Sequence, residues 1–120
     1  MNAINITKIN LDTPVLASYI KRMSNWGENG VFCSKAVAKK DADTNFYGIF
    51  YNENFLAASV IEHDESQSSA YVTMANGSLN HFKEIEDISR PELINIAKSL
   101  YGEETTVFFP TPAVKKLAQR

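Results

Sequence analysis

Two neighbouring segments are apolar on both of their faces. In 46–51, Phe46, Gly48 and Phe50 fall on one side of an extended chain, and Tyr47, Ile49 and Tyr51 fall on the other. In 55–61, Phe55-Leu56-Ala57-Ala58-Ser59-Val60-Ile61 is again apolar both ways. A strand wetted on one side alternates apolar and polar residues. These segments do not, so the sheet they form must be covered front and back. Asn52-Glu53-Asn54 is the turn that joins them into a hairpin. After a polar connection from Asp64 to Ser69, Ala70–Ala75 is a third strand of the same kind. Residues 46–75 therefore predict a three-strand meander at the centre of a sheet.

The remaining elements supply the cover. Residues 4–10 begin with period-2 alternation and read as an edge strand. Pro14 suits a first helical position, and Val15, Leu16, Tyr19, Ile20 and Met23 follow at helical spacing, predicting a helix to about residue 24. Trp26-Gly27-Glu28-Asn29-Gly30 breaks it, Val31-Phe32-Cys33 reads as a short strand or a helical turn, Ser34 to Lys40 is helix-like in composition, and Asp41 to Asn45 is a polar loop. A long loop runs from Asn76 to Asp87, with room for a helical turn near Phe82–Ile85. Ser89 then reads as the cap of a helix with Pro91 in its first turn and Gly102 as its stop. Thr105–Phe109 is a fourth two-sided strand, and Thr111-Pro112 introduces a last helix over 113–119. The predicted class is α/β (α+β): one domain over 1–120, with a mixed, mostly antiparallel sheet, helices on both faces and the order β-α-(α)-β-β-β-α-β-α.

Composition narrows the function. Apolar residues make up 44% of the 120, charged residues 22%, and the formal charge is −2. That balance gives no field for polyanions, so neither nucleic acid nor an anionic membrane is an expected partner. No apolar run reaches the roughly 18 residues a membrane span needs. Met1-Asn2-Ala3-Ile4-Asn5 shows no basic-then-apolar leader, so no secretory signal is expected. Cys33 is the single cysteine, which excludes an internal disulfide and a multi-cysteine zinc site.

Motifs for chemistry are sparse. Cys33 has no histidine near it in sequence and reads as a small buried hydrophobe. Glu62-His63-Asp64-Glu65 is rich in ligand types, but adjacent strand residues face opposite ways, so no metal site is expected there. The aromatic run 46–51 lacks the basic neighbours that base stacking needs. The five glycines give no phosphate-loop spacing. The start of the helix after the third central strand, with Ser89 and Arg90, is the one place where backbone amides could hold an anion such as a diphosphate.

In element order the chain resembles the GNAT superfamily of N-acetyltransferases. Ile4–Asn10 is similar to its first strand and Pro14–Ser24 to its first helix. Phe46–Tyr51, Phe55–Glu62 and Ala70–Ala75 are similar to its central meander, and Tyr47-Gly48-Ile49-Phe50 through Asn54 to Ala58 is the best local echo. Arg90–Tyr101 resembles the helix under the cofactor diphosphate. Thr105–Phe109 resembles the splayed next strand, and Ala113–Gln119 the helix after it. The resemblance implies acetyl-CoA, its pantetheine arm on the backbone of Thr73, Met74 and Ala75 and its diphosphate near Ser89 and Arg90. Glu62, the only carboxylate at the end of a central strand, would then be the base.

The sequence departs from that family at the positions that carry chemistry. The diphosphate loop Q/R-x-x-G-x-G/A is absent, with Asn76-Gly77-Ser78 near its place. Strand 70–75 has no carboxylate, and 113–119 has no tyrosine to act as acid. The chain stops at Arg120, which the resemblance reads as truncation before the family's last strands, with an open sheet edge at 105–109. These departures imply a non-catalytic acetyltransferase-like module that binds a protein partner, or itself, through that edge, and needs no cofactor. The pattern is similar to small virion-associated and accessory proteins of tailed phages, which implies a cytoplasmic or virion-associated protein. An active acetyl-CoA-dependent N-acetyltransferase is the alternative. A binding module on an unrelated α/β fold is a third reading, discriminated by whether Thr105–Phe109 runs parallel beside Ala70–Ala75.

Overall fold

The computed structural model describes residues 4–77 and 81–110. Its order is β1 (Ile4–Lys8), α1 (Leu16–Met23), α2 (Gly27–Ala38), β2 (Asn45–Tyr51), β3 (Asn54–Asp64), a 3-10 turn at Glu65–Gln67, β4 (Ser69–Asn76), α3 (Phe82–Tyr101) and β5 (Thr106–Phe108). The strands lie in one sheet in the order β1-β2-β3-β4-β5. The first three pairings are antiparallel and the last, β4 with β5, is parallel. Thr106–Phe108 thus runs parallel beside the third central strand, the discriminating arrangement. The expected helix over 113–119 lies outside the described residues.

The two-sided strands are buried as their composition requires. On one face Tyr47, Ile49, Ala57, Ile61, Ala70, Val72 and Met74 pack against Ile85, Leu93 and Ala97 of α3. On the other, Phe46, Phe55, Ala58, Val60 and Ala75 pack against Leu16 and Met23 of α1 and Cys33 and Val37 of α2. Burial of a large apolar side chain is worth roughly 1.5–3 kcal/mol, so two such layers outweigh weak local propensities. The β2–β3 turn is two residues, Asn52 (φ 48°) and Glu53 (φ 72°), both left-handed as a tight hairpin demands. The register slips between Ile49 and Phe50, where Leu56 is the extra residue, and this returns Phe55 to the same face as Ala58.

Two elements differ from the sequence reading. The ambiguous stretch after Trp26 is a full helix from Gly27, and the residues read as a breaker are its first turn. Close packing requires Gly30 there: a β-carbon on it would overlap the carbonyl oxygen of Met23. Ser34 Oγ, donating to the Gly30 carbonyl at 2.8 Å, also lies 3.2 Å from the carbonyl of Ile20, so α2 is braced on α1. The second difference is α3, which starts at Phe82 rather than Ser89 and carries Pro91 inside it. Buried Ile85, Ser89, Leu93 and Ala97 form a continuous i, i+4 stripe, and that stripe overrides the proline as a start signal.

Candidate functional site

The parallel ladder between β4 and β5 is short. Ser69, Ala70 and Tyr71 pair with Thr106, Val107 and Phe108, and β4 then continues to Asn76 without a partner strand on that side among the described residues. The Thr106 N–H donates to the Ser68 carbonyl at 3.0 Å. Peptide groups point to alternate edges along a strand, so Ala70, Val72 and Met74 turn theirs toward β5. Those of Met74 lie past the last paired residue, at the mouth of a split between the two strands.

A cleft of about 200 Å³ occupies that split, lined by Asn29 of α2, Met74 of β4, Phe82, Glu86 and Arg90 of α3, and Phe109 and Pro110. Its polar groups are engaged with each other. Asn29 Nδ2 donates to the Met74 carbonyl at 2.8 Å. Arg90 donates to Glu86 at 3.1 Å and lies 5.1 Å over the Phe109 ring. Asn76 Nδ2 donates to the Phe82 carbonyl at 3.1 Å, tying the end of β4 to the first turn of α3.

Of the residues expected to take a cofactor, Met74 and Arg90 meet in this cleft. Thr73 and Ala75 flank Met74 but are buried under α2, where the Thr73 hydroxyl has no hydrogen-bond partner. Ser89 lies two turns into α3, buried, with its hydroxyl likewise unpartnered. The amides of Ser89 and Arg90 therefore belong to the interior of a helix, where N–H groups bond back to the preceding turn. The expectation that they stand at a helix start is corrected. Glu62 is exposed on β3 opposite Tyr71, beside the paired part of β4 and not among the residues lining the split. Asn29 is the residue that sequence reasoning missed. It sits between two glycines in what looked like a loop, and nothing in its neighbourhood signals a helix.

A second concave region lies at the other end of the sheet. His63 of β3 stacks on Tyr101 of α3, with centroids 4.1 Å apart and planes 4° from parallel. Asn45 Nδ2 donates to the Tyr101 hydroxyl at 2.7 Å. Cavities of about 490 and 380 Å³ flank this pair, and Asp43, Glu65, Glu103 and Glu104 stand around them. Burial raises the phenol pKa of Tyr101, opposed by the Asn45 hydrogen bond and reinforced by the Asp43 carboxylate. Burial also raises that of Tyr47, with the Tyr101 phenolate adding to it. Among the described residues no three His, Cys, Asp or Glu side chains are placed to hold a metal ion.

No family model matches the chain, and no curated protein does. Solved structures do. The ribosomal-protein-alanine N-acetyltransferase of Brucella melitensis superposes with a TM-score of 0.64 at 9% identity, covering 98% of this chain and 89% of that one. The IAA acetyltransferase of Bacillus cereus gives 0.59 at 14% identity, covering 97% and 72%. A probable acetyltransferase of Staphylococcus epidermidis gives 0.58 at 18% identity, covering 87% and 72%.

The chain has the GNAT fold.

This split is where the sequence reading places the pantetheine arm of acetyl-CoA. The carbonyl that an amide-bearing arm would use is already bonded to Asn29. The cleft is below the roughly 300 Å³ at which small-molecule sites begin. Its one cation, Arg90, is neutralised by Glu86. No helix among the described residues is long and apolar enough to cross a membrane.

Proposed function

We propose that this GNAT-fold chain is a non-catalytic module that acts by binding a protein partner. The observation that carries the reading is the sealed split: Asn29 on the Met74 carbonyl, and Arg90 on Glu86 and Phe109. A transferase needs that groove open and a base beside it, and Glu62 is not among its lining residues. The binding surface in this proposal is the outer edge of β5, which among the described residues pairs only with β4. Phe108 is exposed there and stacks on Tyr71 at 5.5 Å, an apolar rung beside open backbone suited to strand addition or self-association. The setting attached to this reading is a tailed-phage particle or accessory protein, on the resemblance of the degenerate pattern to such proteins.

Calorimetry with acetyl-CoA tests it. The expected result is no heat at millimolar ligand, together with a dimer mass or a captured partner that is lost in Phe108→Lys. Saturable heat with acetyl transfer to an amine overturns it. One observation favours that second reading, an acetyl-CoA-dependent N-acetyltransferase: the β4–β5 ladder ends at Tyr71 while β4 runs on to Asn76, the geometry an inserted pantetheine arm requires. In that case Thr73, Met74, Ala75 and Arg90 would lie along the arm, and Glu62 would reach the amine only through water.

A further inference from the structure

We infer that Asn29 is a latch on the β4–β5 split, a side-chain amide standing where the first rung of an extended, amide-bearing ligand would otherwise form. The inference rests on the reading of the split as sealed and says what seals it. An open sheet edge is satisfied by a chain that offers N–H groups at strand spacing. The Met74 carbonyl faces that edge beyond the last paired residue, and the Asn29 carboxamide, 45 positions away in sequence, supplies its donor at 2.8 Å. An asparagine side chain is chemically a short piece of backbone, so it imitates one rung of an added strand and excludes the real one.

The seal is a side chain rather than a helix. α1 and α2 are braced on each other, since a β-carbon at Gly30 would overlap the Met23 carbonyl oxygen and Ser34 Oγ lies 3.2 Å from the Ile20 carbonyl. Rotation of Asn29 about its own bonds releases the Met74 carbonyl. Met74, Phe82 and Phe109 already wall the space behind it, so the ligand that fits is an uncharged amide arm with apolar methylenes. Pantetheine is one molecule with that chemistry.

The test is titration of pantetheine, and separately coenzyme A, into the folded wild-type chain, Asn29→Ala and Asn29→Asp. Folding is checked by circular dichroism, and binding is followed by calorimetry and by the Met74 amide resonance. Alanine removes the donor, and aspartate keeps the shape while repelling the carbonyl. The expected result is pantetheine affinity at least about ten-fold above wild type in a folded variant, the order of one competing hydrogen bond, with the Met74 resonance moving on binding. Coenzyme A gaining no more than pantetheine is also expected, since only the arm is recognised. No gain in any folded variant, or a gain that leaves Met74 unmoved, overturns the latch. Acetyl transfer by the wild-type chain would instead overturn the non-catalytic reading, and the ratio between variant and wild type would still judge Asn29.

Discussion

A β-carbon on Gly30 has nowhere to go but into the Met23 carbonyl oxygen, which is backbone and cannot rotate aside. Gly30→Ala is therefore expected to push α1 from α2 and cost about 2–3 kcal/mol. A thermal melt should show this as a fall of roughly 10 °C in Tm. Two phenols carry a pH dependence. Tyr47 and Tyr101 both have pKa values raised above 10.0 in the folded chain, chiefly by burial. The folded state thus holds protons that the unfolded state releases first. The stability they protect is complete below the ordinary phenol range and is lost as pH rises through it. Stability measured by denaturant titration should be level up to about pH 9 and fall beyond pH 10, and Tyr47→Phe should flatten that fall. At this scale the sequence was only partly legible. Met74 and Arg90 were within reach because the order of elements places them. Asn29 was not, because its role depends on a contact between residues 45 positions apart.

The strands were legible as elements because a ribbon dry on both faces has few alternatives, and 46–51, 55–61 and 70–75 all lie within observed strands. The helices were less so. α2 has buried Gly30, Cys33, Ser34 and Val37, two of them not apolar signals at all, so its pattern carries little of the helical period. α3 was cut short because Pro91 in the first turn after a serine is a strong start signal. It sits instead in the middle of a helix of 20 residues, where it offers no N–H to the carbonyl of Asp87. Its side chain is exposed, so no packing depends on it. Pro91→Ala is expected to add that hydrogen bond and stabilise the chain by about 1–2 kcal/mol, less than the full helical penalty of proline because the unfolded chain also gains freedom. The same denaturant titration reads it, as a higher midpoint at unchanged slope.

For the molecule as a whole, covering both faces of the meander was enough to imply the layered order, and the parallel placing of β5 completes it. What composition could not convey is the state of the split, which the Asn29 hydrogen bond to the Met74 carbonyl closes. The route of the chain has a further consequence. Strands β1 to β4 meet antiparallel neighbours, while β5 reaches the sheet only after the whole of α3. Loop closure across a helix is entropically dearer than closing a two-residue turn, so the β2–β4 meander is expected to form first, with β1 joining across α1 and α2 and β5 joining across α3. Three residues of ladder hold it there. The same strand is the first to leave, and a partner that captured it during synthesis would be joined to a half-built sheet rather than a finished one.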